Sequence, residues 1–148
     1  MKKLIEMKDQ YHETLSDVGL LIMRLWAGLA MAYAHGWPKL ANFSDRADSF
    51  ADPLGVGSFM SLTLTVGAEF FASILLALGL ATRLLSIPLL FTMFVAAFIV
   101  HAGDPFGDRE LALFFGAAYL MLIFTGPGKY SLDHIVKKGW QARQEDVE

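Results

Sequence analysis

Residues 61–80 read SLTLTVGAEFFASILLALGL, and this stretch decides the fold. A helix crossing a hydrocarbon core of about 30 Å needs about 20 apolar residues, because each residue rises about 1.5 Å. The run has that length and carries one carboxylate, Glu69, near its centre. A carboxylate at such a depth costs roughly 2.5–3.5 kcal/mol even on the lenient insertion scale. Glu69 is therefore expected either to face the interior of a bundle with a partner or to do chemistry there. The remainder of the chain reads as the source of partners.

The chain has 148 residues, 55% of them hydrophobic and 18% charged, which is unusually apolar for a soluble domain of this size. That length suits a single membrane domain spanning residues 1–148. A net charge of -3 without a dominant basic block argues against nucleic-acid binding. With no cysteine, disulfides, thiolate metal sites and CxxC redox chemistry are excluded.

Outward from Glu69 the chain resolves into four apolar runs, at about 18–37, 58–80, 84–101 and 110–125. The first could be mistaken for a signal peptide, because Ala32-Tyr33-Ala34 has the small-x-small form of a cleavage site. The segment before it is not net positive, Arg24 interrupts it, and three more runs follow, so it reads as a retained span. Ser16 or Asp17 is placed to cap its start. Before it, Leu4, Met7, Tyr11 and Leu15 recur at helical spacing, predicting a short amphipathic helix on the membrane surface. After the last run, Gly126-Pro127-Gly128 stops the helix and Ser131 can cap another. That final helix sets Leu132, Ile135, Val136 and Trp140 against Lys137, Lys138 and Arg143, again an interfacial pattern. The connection over 36–57 is long for a loop and predicts a short helix or a cover over a site. The GLATR turn over 79–83 sends the third run back beside the second. The fold class is therefore all-α: an antiparallel four-helix bundle integral to a membrane, with amphipathic interfacial helices at both termini.

The basic residues set an orientation. With both termini on one side, that side carries Lys2, Lys3, Lys8, Arg83, Lys129, Lys137, Lys138 and Arg143. The other side carries only Lys39, Arg46 and Arg109, among several acids. The positive-inside rule then predicts cytoplasmic termini.

Helical rise assigns each polar residue a depth from that side. His35 and His101 lie at about 26 Å, Glu110 at about 24 Å and Glu69 at about 16 Å. Three ionisable groups thus reach one level near the outer face, above Glu69, which predicts a polar pocket open to the outside. Arg24 lies at about 10 Å, from where it either reaches up to Glu69 or snorkels down to the headgroups. Aromatic residues such as Trp26, Trp37 and Phe70 read as packing, as interfacial anchors, or as walls of a flat apolar site. Two histidines and carboxylates are metal-capable types, but no HExxH or ExxH motif is present and no metal site is expected.

The ordered set of features resembles the DoxX family of small four-helix bacterial membrane proteins. The resemblance rests on RLWAGLAMAYAHGWPKL over 24–40, on the Glu69-bearing helix running into LGLATR, on the histidine closing the third run, and on TGPGKYSLD over 125–133. It covers roughly residues 18–136. It implies an association with membrane redox processes, including quinone-linked oxidoreductase subunits and oxidative-stress defence. It also marks Arg24, His35, Lys39, Glu69 and His101 as positions of interest, and Glu110 less securely.

Two functions of different class follow. In the first, the chain is a membrane subunit of a quinone-linked redox system, with an oxidoreductase partner supplying electrons. His35 or His101 would then hydrogen-bond a quinone carbonyl and Glu69 would relay a proton, with Arg24, Trp37, Lys39 and Glu110 lining the site. In the second, the chain is a non-catalytic scaffold or assembly factor. Gly28, Ala32, Gly67, Ala68 and Ala72 would then allow close helix contact within the chain or in a homo-oligomer. A small-solute transporter is the weaker third reading, because four helices are few for alternating access.

Overall fold

The computed structural model describes the backbone of residues 1–145 and the side chains of Met1 and residues 7–144. Leu4, Lys2 and Lys3, used above for the apolar stripe and the charge bias, lie outside the described side chains. Among the described residues every regular element is helical.

Helix α1 (Lys2–Met31) is one continuous rod. The separate surface helix expected before residue 17 is part of it, because no glycine or proline over 8–17 interrupts the turns. Asp17 is accordingly not an N-cap. Its Oδ1 accepts the Lys129 N–H at 2.9 Å, and Lys129 Nζ reaches Glu13 at 2.9 Å. Past Met31 the helix widens into a π-turn, Ala32–Gly36, and continues as α2 (Trp37–Ala41). The wide turn stands just before Pro38, which lacks the N–H that an α-turn would need at that point. In its place Trp37 N–H bonds five residues back, to Ala32 O.

The 36–57 connection carries a short helix of its own, α3 (Phe43–Arg46). The Glu69 run is α4 (Ser58–Val66), a second π-turn (Gly67–Ala72) and α5 (Ser73–Leu78). Helix α6 (Thr82–Val95) ends in a third π-turn, Ala96–Val100. Helix α7 (Phe106–Thr125) begins ahead of Glu110, because Pro105 at φ -53° already holds the backbone of a helix start. Helix α8 is Leu132–Glu145, and Ser131 Oγ accepts the His134 N–H at 3.2 Å as its cap.

Three of these stretches are long and apolar enough to cross a membrane: Met7–Ala41, Ser58–Leu78 and Thr82–Val100. Helix α7 differs because Asp108, Arg109 and Glu110 crowd its first turns. Its apolar part, residues 111–125, covers about 22 Å.

Helix α1 packs on α5, α5 on α6, α6 on α7, and α7 back on α1. The core between them is built from Ala27, Met31, Ala68, Ala72, Leu76, Leu89, Met93, Phe115, Ala118, Tyr119 and Leu122. Four alanines in that set let the backbones approach closely, as small residues do between membrane helices. Tyr119 is fully buried and its hydroxyl donates to Ala27 O at 3.3 Å. The outward faces are the reverse of a soluble protein's, with Ile22, Trp26, Phe94 and Phe124 all more than half exposed. That apolar exterior is what a hydrocarbon solvent selects.

Arg24 is the largest fully buried side chain. It takes neither of the two expected courses. It does not reach Glu69, and it does not emerge among headgroups. Its guanidinium donates to Ala77 O at 3.3 Å and to Tyr130 O. Those carbonyls lie at the C-terminal end of α5 and just before α8, where the helix dipole of α5 is negative and favours a cation. Gly79 and Ala81 adopt left-handed backbone, φ 75° and 48°, in the turn that follows. A Cβ on Gly79 would collide with the guanidinium, so glycine is needed there twice over. Asp133 holds the same turn by accepting from Ala81 N–H and Thr82 N–H at 2.7 and 3.0 Å.

A close helix crossing at Gly28 gives a direct test. A Cβ on Gly28 would fall 2.6 Å from Ser73 O, whereas nothing lies within 4 Å of one on Gly19. Gly28→Ala is expected to destabilise the protein in mild detergent by roughly 1–3 kcal/mol through overpacking. Gly19→Ala, on the same helix, is expected to be neutral or stabilising by up to about 1 kcal/mol. Thermal unfolding midpoints of the two variants check both.

Candidate functional site

Glu69 sits in the π-turn of the second span, and its side chain is 7% exposed. Its partner is Lys39, whose Nζ lies 2.5 Å from Glu69 Oε2. Breaking such a buried pair costs more than the pair gains over an apolar replacement, because the remaining charge is stranded. The pairing depends on α1 running on through the π-turn to α2, since only that path carries Lys39 alongside the second span. Gly36 lets the two backbones touch: a Cβ there would stand 2.6 Å from Glu69 O. Lys39 Nζ also donates to His35 O at 3.3 Å. An ammonium has three donors, and these bonds use two.

The pair stands at the inner end of a cavity of about 520 Å³. The walls come from the second and third spans, through Leu64, Thr65, Phe91, Thr92 and Val95, with His101 at the far end. Phe50, Ala51, Pro53, Leu54 and Val56 form its roof, so the long connection does cover a site. Leu64 is 59% exposed and Phe91 54%, which makes the flank of the cavity a groove open on the outer side of the helices. The connection thus lines the cavity at the end of the helices, and its flank beside Leu64 and Phe91 is exposed.

Three of the residues singled out from the sequence meet here, Lys39, Glu69 and His101. His101 Nδ1 lies 2.7 Å from Asp104 Oδ2. A carboxylate only accepts, so Nδ1 carries the proton and Nε2 of the neutral ring is left as an acceptor. His35 does not line the cavity. It is half-buried, with its ring edge-on to Phe115 at 6.0 Å, and it serves the site through its backbone carbonyl. Trp37 packs near Phe70 at 6.0 Å and is half exposed, away from the cavity. Glu110 is exposed on the first turns of α7 and contributes nothing to the cavity. Arg24 belongs to the opposite end of the helices. The equal depths expected of His35, His101 and Glu110 rest on rise along the helices alone. Rise alone does not say which way a side chain points around the axis.

Asp52 is the residue that sequence reasoning missed. It accepts from Gly57 N–H at 2.7 Å, Val56 N–H at 3.0 Å and Ser61 Oγ at 2.7 Å. It thus ties the roof to the start of α4, doing the work that Gly57, as N-cap without a side chain, cannot do. The only signal was an acid in a Pro-Gly turn five residues before that glycine. The Ser61 hydroxyl, followed by the Gly57 N–H, holds the Asp52 carboxyl below its ordinary range.

Comparison with known proteins gives a family-model match to DoxX over residues 19–102. That segment contains Arg24, Lys39, Glu69 and His101 and ends before α7. The chain is 29% identical over 130 residues to the inner membrane protein YqjF of Escherichia coli (strain K12), covering 85% of this chain and 98% of that one. It is 30% identical over 123 residues to the inner membrane protein YphA of the same organism, covering 77% and 87%. It is 27% identical over 124 residues to CatD of Bacillus subtilis (strain 168), provisionally named an oxidoreductase, covering 83% and 90%. No solved structure matches.

Two tests follow from this geometry. Lys39→Met strands Glu69 and is expected to cost roughly 3–5 kcal/mol, while Lys39→Met combined with Glu69→Leu recovers most of the loss. Denaturant unfolding of the two variants in micelles measures this; a loss below about 1 kcal/mol for the single change would remove the pair as a structural element. For Asp52 the folded carboxyl titrates low, so its contribution is present above the ordinary carboxylate value of about 3.9 and is lost as pH falls through the lower folded value. Amide protection at Val56 and Gly57 is expected to fall in that acidic window, and Ser61→Ala is expected to move the fall to higher pH.

Proposed function

The chain belongs to the DoxX family, and from that premise we propose that it is a multi-pass inner-membrane subunit of a quinone-linked redox system. In this reading the four long helices form an antiparallel bundle, both termini are cytoplasmic, and an oxidoreductase partner supplies the electrons. The observation that carries the reading is the lateral cavity with a buried lysine–carboxylate pair at one end and apolar walls along its length.

The residues fit a quinone-class ring. A volume of about 520 Å³ lies within the usual range for small-molecule sites, about 300–1,000 Å³. Thr65, Thr92, Phe91 and Val95 offer a mostly apolar wall with a few polar points. The side opening between the second and third spans suits a ligand that arrives from the hydrocarbon. A quinone supplies a two-electron, two-proton couple when bound. What this chain supplies is the proton side. The third N–H of Lys39 is the donor for a ring carbonyl, and Glu69 Oε2, in contact with Lys39 Nζ, receives or returns the proton that Lys39 exchanges. Neither carboxylate nor ammonium is then an isolated buried charge, since each is the other's partner. His101, oriented by Asp104, provides the path for protons at the roofed end.

The test is mass spectrometry of the organic extract from protein purified in mild detergent. Near-stoichiometric quinone in the wild type, with a loss of about tenfold in Glu69→Gln, supports the reading, one tenfold step being the effect of a single weakened polar contact. Background quinone in both preparations would overturn it.

A further inference from the structure

At the other end of α6, about 28 Å from His101 by helical rise, lies a second groove. Its volume is about 640 Å³, and it runs between the start of α6, the turn over 127–129 and the first turn of α8. The cavity beside Glu69 shares none of its residues.

The groove gathers Arg83, Lys129, His134 and Lys137 around Asp17 and Asp133. Both acids are already committed. Asp133 caps α6 through Ala81 N–H and Thr82 N–H, and Asp17 accepts the Lys129 N–H. Lys129 is committed too, with Nζ between Glu13 at 2.9 Å and Asp17 at 3.5 Å. Arg83 and Lys137 are not. Among the described residues neither has a carboxylate partner, and Arg83 makes one bond, from Nη2 to Phe124 O at 3.3 Å. A guanidinium has five donors, so most of its capacity is unused.

A second observation points the same way. Thr82 lines the groove and is fully buried, yet its Oγ1 has no hydrogen-bond partner among the described residues. A buried hydroxyl without a partner is unusual and calls for one from outside the chain. The first turn of α6 adds its positive dipole end and the N–H groups of Arg83 and Leu84, since its intrahelical bonding begins with Leu85 N–H on Ala81 O. Two uncommitted cations, an orphan hydroxyl and a helix start converge on what one anion with several acceptor oxygens would satisfy.

The surroundings say which anion. Leu84 lines the groove and is 66% exposed, and α8, which brings Asp133, His134 and Lys137 to the groove, also leaves Val136 and Trp140 each more than 60% exposed. A polar, basic floor with an uncovered apolar rim matches an amphiphile, with its head on the floor and its chains against the rim. We propose that this groove seats the phosphate of an anionic phospholipid, and that the seated lipid fastens α8 to the end of α6. A zwitterionic headgroup would bring its own cation towards Arg83 and Lys137 and is disfavoured.

The experiment is native mass spectrometry of the full chain released from micelles holding equal amounts of phosphatidylglycerol and phosphatidylcholine. The wild type is expected to retain phosphatidylglycerol about thirtyfold over phosphatidylcholine, the scale set by two basic residues at about 1 kcal/mol each. Arg83→Gln with Lys137→Gln is expected to bring that ratio close to one. Lys138→Gln, which removes a charge of α8 outside the groove, keeps it. Thr82→Val is expected to lower the ratio while leaving the unfolding midpoint in lipid-free detergent unchanged or raised, and it decides the matter alone if the double variant does not fold. Equal retention of both lipids by the wild type, or an unchanged ratio in the groove variants, would overturn the proposal. So would displacement of phosphatidylglycerol by millimolar inorganic phosphate, which would assign the groove to a soluble anion.

Discussion

A carboxylate in the middle of an apolar span has to be answered by a cation, and the chain answers Glu69 from beyond the end of its first span. Lys39 can reach it only if the first helix does not stop at Pro38. The π-turn over Ala32–Gly36 accommodates the proline without ending the helix, and Gly36 lets the two backbones come into contact beside the pair. The second span widens at the same level, in the π-turn that contains Glu69. Such turns re-aim side chains by inserting an extra residue into a helix, and they gather at functional sites. These adjustments bring Lys39 to the cavity that the second and third spans wall.

The two ends of the structure solve the buried-charge problem differently. Near the roofed end, opposite charges are paired within the protein. At the basic end, Arg24 is buried without a carboxylate in contact among the described residues and is held by carbonyls at the end of α5 and before α8. Asp133 then caps α6 from the side, so one short region ties α1, the turn over 79–81 and α8 together. The consequence is a base tied together by these bonds and a loop-covered cavity above it. Asp52 supplies the link between that cover and the second span.

Chemistry follows from position more than from residue type. His35 and His101 are alike in the sequence, each closing an apolar run. One has its ring against Phe115 and the other lines the cavity with a carboxylate on its Nδ1. Lys39, expected among the residues lining the site, is the partner of Glu69 itself. The side opening, bounded by Leu64 and Phe91, favours ligands that dissolve in lipid over those that arrive from water.

By itself the sequence determined that the chain is helical, that its helices are long and apolar enough to live in a membrane, where they end, and which family they resemble. Those properties are local: they follow from hydrophobic length, from proline and glycine, and from capping residues such as Ser131. The sequence also marked Glu69 as a residue requiring a partner, because the cost of its burial is legible from its surroundings alone. It could not name that partner. Rise along a helix gives depth, but rotation about the axis is set by packing, and each π-turn shifts that rotation without a clear signal in the sequence. So Arg24 turned away from Glu69 to the carbonyls at the end of α5 and before α8, and Glu110 fell outside the cavity. Only the tertiary structure decided which charges face each other, because that choice is made by helices packing across the core.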